Sequence, residues 1–252
     1  MKRSNARRRP AKRQRRARRR NGTTALPRLP GTLAPQHMLV KLKYFNTYLK
    51  AIPTGGAVSA VNQFRLNSIW DPDQTNTLGT SCLGLGEWAK FYQQYRVYKT
   101  AYVVRISNLS SDTAIAGVLN FTNYNDTAYS VSDFMRPLGR RFELGNKEGS
   151  NKAVIKGTMN LPKLRGVSPQ QYKSELATSA GFQANPSENL QMSILCKSAN
   201  NAIAPNVAFT VEFTYFVELI STQASTEAID LSTGLPVVPV GTFATTPGGL
   251  TP

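Results

Sequence analysis

At 252 residues the chain can build one good-sized domain or two small ones, and it carries 31 Lys and Arg against 14 Asp and Glu, a formal charge of +17. A single histidine excludes Ser-His-Asp and Cys-His nucleophile systems and any His-based zinc site, so no enzymatic role and no cofactor is expected. No apolar run approaches the roughly 18 residues that span a bilayer, so no membrane partner is expected either.

The charge is concentrated at the start. Twelve of the first twenty residues are basic: Lys2, Arg3, Arg7, Arg8, Arg9, Lys12, Arg13, Arg15, Arg16, Arg18, Arg19 and Arg20. The first carboxylate is Asp71. Such a run buries no apolar surface and repels itself, so it is expected to stay disordered until a polyanion arrives. Arg outnumbers Lys, which suits bidentate contact with phosphate. The twelve residues therefore form a candidate nucleic-acid-binding arm that also reads as a nuclear-import address. No apolar h-region follows the basic run, so a secretory signal is not expected. Residues 29–252 hold eighteen Lys and Arg against fourteen Asp and Glu, so the pattern is a basic tail on a near-neutral body.

Residues 21–37 form a linker in which Pro27, Pro30 and Pro35 deny both ladder and helix, and it includes the lone His37. The body then reads as strand after strand with period-two alternation. Met38, Val40, Leu42 and Tyr44 alternate with Lys41 and Lys43. Phe64, Leu66 and Ser68 share one face, and Tyr98, Thr100, Tyr102, Val104 and Ile106 share another. Ile115, Leu119 and Phe121 surround Gly117, and a short strand is expected at 141–144. Ala153, Ile155, Gly157 and Met159 alternate with Lys156 and Thr158. Leu190, Met192, Ile194 and Cys196 alternate with Gln191, Ser193 and Lys197. Val207 to Leu219 alternates without a slip. About eight strands separated by long loops favour an antiparallel sandwich.

Three stretches depart from that pattern. Trp88, Phe91, Tyr92 and Tyr95 fall at helical spacing and predict one aromatic helix face packed on the core. Residues 161–188 form a loop too long to be an idle connection. Residues 221–252 are rich in Ser, Thr, Pro and Gly and predict an extended C-terminal tail. Asp71 and Asp73 flank Pro72 and offer paired carboxylates to a divalent ion, although the residue types favour a simple turn. Cys82 and Cys196 match no metal spacing and are expected as buried free thiols in a reducing compartment. The sequons at Asn21, Asn108, Asn120 and Asn125 are expected to be chance matches.

The order of features in the middle of the body resembles a known family. Asn67-Ser-Ile-Trp-Asp-Pro-Asp73 precedes a Gly-rich stretch, then Gly86-Glu-Trp-Ala-Lys-Phe-Tyr-Gln-Gln-Tyr-Arg-Val97 leads into a strand. Asn160-Leu-Pro-Lys-Leu-Arg-Gly166 opens the long loop, and Asn185-Pro186 precedes the last two strands. Together with the Arg-rich N-terminus, this is similar to the capsid proteins of circular, Rep-encoding single-stranded DNA (CRESS DNA) viruses, the circovirus-like group. The resemblance implies an all-β fold, a single eight-stranded antiparallel jelly roll in sheets BIDG and CHEF, with a short helix before strand D. The strands map as B 38–49, C 59–70, D 96–107, E 113–123, F 138–145, G 151–160, H 189–198 and I 206–219. The domains would be an arm and linker over 1–37, a jelly roll over 38–220 and a tail over 221–252.

It also implies a homo-oligomeric T=1 shell of about sixty copies, a single-stranded DNA genome, host nuclear-import receptors as partners, and residence in the virion and, during assembly, the host nucleus. Loops between C and D, between G and H, and near 124–137 would supply subunit contacts, with Tyr124, Tyr129, Phe134 and Pro137 as interface candidates. Two other readings fit the residues: the coat of a small RNA virus or satellite, and a cellular nucleic-acid-binding protein with a basic tail. The second would carry stacked aromatics amid Lys and Arg on its body.

Overall fold

The computed structural model describes residues 35–75, 80–124 and 129–222. The basic arm, most of the linker and the tail beyond Thr222 lie outside them, as do Asn21 and Asn125.

Nine strands form two antiparallel sheets: β1 (His37–Ala51), β2 (Ser59–Arg65), β3 (Tyr92–Asn108), β4 (Ile115–Thr122), β5 (Arg140–Leu144), β6 (Lys152–Asn160), β7 (Ser179–Gly181), β8 (Gln191–Ser198) and β9 (Asn206–Thr222). The first sheet runs β1-β9-β3-β6, with β7 paired to an end of β3. The second runs β2-β8-β4-β5. With the strands lettered B to I and the short β7 set aside, these orders are B-I-D-G and C-H-E-F, and the fold is a jelly roll.

The alternation read from the sequence places the core between the sheets. Leu42 and Tyr44 of β1, Val104 and Ile106 of β3, and every second residue of β9 from Val207 to Leu219 are buried there. Tyr48 stacks on Phe209 at 4.9 Å, and Phe64 of β2 meets Phe213 edge-on at 5.4 Å, joining the two sheets through aromatic contacts. Gly117 lies under the Phe142 ring and Gly157 under the Tyr102 ring. A Cβ at either would stand 2.1 and 2.3 Å from the neighbouring side chain, so both strands require glycine there.

Several sequence expectations are corrected. Strand C stops at Arg65 rather than 70. Pro72 carries no N–H, and the chain turns back so that the Arg65 and Gln74 amides donate to the Pro72 and Gln63 carbonyls. The helix before strand D is only α1 (Leu85–Ala89), and Tyr92 and Tyr95 already belong to β3, paired with Thr222 and Leu219 of β9. Ladder pairing over seventeen residues outweighs a helical spacing of aromatics that a five-residue helix cannot sustain. A register shift between Val97 and Lys99 then moves the inward face of β3 onto Thr100, Tyr102, Val104 and Ile106, while Tyr98, expected with them, gives its hydroxyl to Glu218 at 2.6 Å. The long loop after β6 is structured. It contains α2 (Leu161–Arg165), α3 (Pro169–Ser174) and β7, and it is pinned by buried Tyr172, whose hydroxyl donates to the Val97 carbonyl at 3.0 Å.

A further correction concerns the outward side of the second sheet. Gln191 and Ser193 of β8 were expected at the surface, yet both are buried, as are Val118 and Leu195. Residues 129–139, between β4 and β5, fold over part of this side. Tyr129 bonds Gln63 and lies 3.4 Å from the Ser193 hydroxyl, and Gly139 packs on Val118.

Candidate nucleic-acid interface

The twelve arm residues, Lys2 to Arg20, lie outside the described residues, and the body offers a candidate face that no single stretch of sequence marks. It is the outward face of the first sheet. Strand register places Lys41, Phe216, Lys99 and Asn160 in one row across four strands. Successive rows are Lys43-Thr214-Ala101-Thr158, Phe45-Glu212-Val103-Lys156, Thr47-Thr210-Arg105-Val154 and Leu49-Ala208-Ser107-Lys152. The central strands β9 and β3 present small side chains together with Phe216, Lys99 and the Arg105–Glu212 pair, and the edge strands β1 and β6 carry the other four lysines.

The ammonium groups of Lys41 and Lys99 both sit over the Phe216 ring, 5.3 and 5.0 Å from its centroid. Lys41, Lys43, Lys99, Lys152 and Lys156 are exposed and have no carboxylate partner among the described residues. Arg105 pairs with Glu212 at 2.6 Å. The face thus gathers six cations against one exposed carboxylate, whereas the other twelve Lys and Arg of residues 29–252 meet thirteen Asp and Glu. The signal that could have found this face was the run of outward lysines at odd positions of β1, read together with those of β3 and β6. It becomes a patch only once β9 is known to sit between β1 and β3.

At one end of the face Glu218 is nearly buried. It accepts from Tyr98 at 2.6 Å and lies 3.2 Å from Lys173, 3.3 Å from His37 Nδ1 and 3.5 Å from Arg96. Burial alone would raise its carboxyl pKa, but the Tyr98 hydroxyl and the surrounding cations hold it below the usual value. His37 is thus the first residue of β1, tied to this cluster, rather than part of the linker.

The other candidates are placed as follows. Asp73 is fully buried, and its oxygens accept from Tyr48 at 2.5 Å, from Asn62 at 3.2 Å and from the Thr75 amide at 3.1 Å. Asp71 pairs with Arg65 at 2.5 Å. The two carboxylates are spent on different partners in a turn, and no group of three or more His, Cys, Asp or Glu among the described residues could hold a metal. Tyr92 and Tyr95 are buried, Trp88 is partly buried against Tyr92, and Phe91 is 44% exposed. Tyr124 and Pro137 are exposed, and the Arg136 guanidinium lies over the Tyr124 ring at 5.4 Å. Tyr129 and Phe134 are half-buried. Cys82 and Cys196 are free and buried, and burial pushes the Cys196 thiol up to about 12 and Cys82 higher still. Asn108 and Asn120 are buried in the fold, so neither sequon is open to glycosylation in the folded domain.

No protein-family model matches the chain, and no curated protein matches it. Among solved structures it is similar to that of Desmodium yellow mottle tymovirus, at 16% identity over 81% of this chain and 99% of that one, with a TM-score of 0.42. It is also similar to the semi-empty VLP of giant freshwater prawn Macrobrachium rosenbergii nodavirus, at 9% identity over 77% and 98%, TM-score 0.44. Tobacco necrosis virus follows at 15% identity over 75% and 85%, TM-score 0.39.

Proposed function

We propose that this chain is a structural capsid protein that self-assembles into a closed icosahedral shell around a nucleic acid, with the Arg-rich arm directed inward. The observation that carries the reading is the union of two features in one chain: a jelly roll ordered B-I-D-G and C-H-E-F, and a separate N-terminal run of twelve cations in twenty residues. Exposed apolar side chains add support. Leu83 precedes α1, Met135 lies between β4 and β5, and Leu176 follows α3; they are 85%, 70% and 82% exposed. These are the connections expected to make subunit contacts, where such residues would be covered.

The finer reading follows the sequence resemblance. The shell is a T=1 particle of about sixty copies, the genome is circular single-stranded DNA, and the protein belongs to the virion and, during assembly, to the host nucleus. The arm and linker occupy 1–37, the wall 38–220 and the C-terminal tail 221–252. Physically, compacting a genome requires neutralising phosphates that repel one another. Arginine arms do this and release counterions without reading sequence. About sixty arms of twelve charges supply on the order of 700 positive charges. The same arm serves as the address recognised by nuclear-import receptors.

Electron microscopy of the purified protein tests the reading. About sixty domains, each roughly 40 Å in diameter, tile a shell about 20 nm across. Uniform closed particles of that size are expected, and a monodisperse monomer or dimer across a range of salt would overturn the capsid assignment. DNase and RNase digestion of native particles separates a DNA genome from an RNA one.

A further inference from the structure

The arm is not the chain's only phosphate-binding device. We infer that the outward face of the β1-β9-β3-β6 sheet is a second nucleic-acid site, which holds the backbone of a single strand along the small central side chains and between the lysines of β1 and β6. The inference deepens the proposed packaging role and rests on that reading for its biological setting, though not for its chemistry.

Three features of the face point to one occupant. The first is charge. Five exposed lysines lie on one side of the body without a carboxylate partner among the described residues, and the rest of residues 29–252 is close to balanced. A solvated face of a near-neutral domain usually mixes both signs. The second is the pair of ammonium groups over Phe216. Two like charges that share one ring repel each other, and a phosphate oxygen between them would relieve that repulsion. The third is shape. Thr214, Ala101, Thr210, Ala208 and Ser107 keep parts of the middle of the sheet low on either side of the Arg105–Glu212 pair, and the lysines of β1 and β6 border it. Five rows at alternate residues extend over roughly 27 Å, room for about four nucleotides. Phe45, 63% exposed on β1, offers an open ring to an unstacked base. A duplex would present no base face to it, so a single strand is the fit.

The site reads no sequence, because nothing in it matches a base-edge donor and acceptor pattern. It differs from the arm in being preorganised, since strand pairing fixes the lysine positions.

The full-length chain tests the inference. Binding of a labelled mixed-sequence single-stranded oligonucleotide is followed by anisotropy over a salt series for wild type and two triple variants. One removes Lys41, Lys99 and Lys156 from the face. The other removes Lys90, Lys147 and Lys197, an equal charge, from elsewhere. The face variant is expected to lower the slope of log K against log salt by about two, and the control by much less than one, since each single-strand phosphate contact contributes about 0.7. Lys→Arg at the three face positions should restore the slope. Phe45→Ala is expected to weaken binding about tenfold at fixed salt. Equal slopes for the two triple variants would overturn the inference. So would a face variant that loses heparin binding while keeping oligonucleotide binding, because the face would then be a sulfated-glycan site. Microscopy of the same preparations reads assembly separately. Wild type that forms no particles counts against the shell, while the slope comparison still judges the face.

Discussion

The two sheets have nearly the same inward face and opposite outward ones. Both bury alternating apolar residues against each other. Outside, residues 129–139 roof part of the second sheet, and Val118, Asn120, Gln191, Ser193 and Leu195 are all buried. The first sheet is open and carries Lys41, Lys43, Lys99, Lys152 and Lys156. Among the described residues, one sheet is thus covered on both sides, and the other carries an outer face on which cations outnumber carboxylates. If the inferred site holds, stability and recognition fall to different outer faces of one jelly roll.

The largest expected effect breaks the covered side. Leu195→Ala removes a fully buried side chain beneath the roof and should cost about 3 kcal/mol in a urea unfolding series. Leu49→Ala, in the same sense but on the open face, should change stability by less than about 0.5 kcal/mol. The two buried thiols supply a second readout, since Cys82 and Cys196 should react with a thiol reagent only on unfolding, and faster in Leu195→Ala. Equal costs at the two positions would mean that the roof does not shield the second sheet in solution.

Glu218 sharpens the comparison from the open side, because it is the one place on that face where charge is buried. Glu218→Gln leaves Arg96 without its carboxylate and should cost about 3 kcal/mol at pH 7. The sign of the pH dependence follows from the lowered carboxyl. Its folded pKa lies below the unfolded reference of 4.5, so its contribution is fully present above about pH 5 and is lost as pH falls through the folded value. The difference in stability between wild type and Glu218→Gln should therefore shrink as pH falls below 4.5. A gap that widens in acid would show that the surrounding cations do not hold the carboxylate ionised.

A smaller effect is expected where a strand is defined by close approach. Gly157→Ala forces the Tyr102 ring out of its seat and should cost about 1–3 kcal/mol, read by thermal unfolding.

Much of this architecture is legible in the sequence because period two is a local signal. Seven of the eight strand ranges lie within a few residues of those observed, and β9 reads without a slip because it is paired on both sides along its length. What the sequence hides is whatever depends on a distant segment. Gln191 and Ser193 look like surface residues until the roof over them is known. Tyr92 and Tyr95 look helical until β9 is available to pair with them. The basic face is invisible for the same reason. Its lysines are spread over residues 41–156, and Phe216, which gathers two of them, lies on a strand that enters the sheet last. The arm had the opposite character, since its charges are contiguous and need no fold to be recognised.

The smallest expected effect on stability separates the two outer faces most directly. Lys41→Met removes one ammonium group from Phe216 and leaves Lys99 alone over the ring. Lys41 is exposed and has no carboxylate partner among the described residues, so the loss of its contact with Phe216 and the relief of repulsion with Lys99 should together change stability by no more than about 0.5 kcal/mol. Affinity for a single-stranded oligonucleotide at moderate salt should nevertheless fall a few-fold, because one phosphate contact is lost from a fixed position. A residue that contributes to binding and not to folding is what an open recognition face requires. The reverse pattern, a large loss of stability with unchanged binding, would make the two lysines over Phe216 a packing feature and return the nucleic acid to the arm alone.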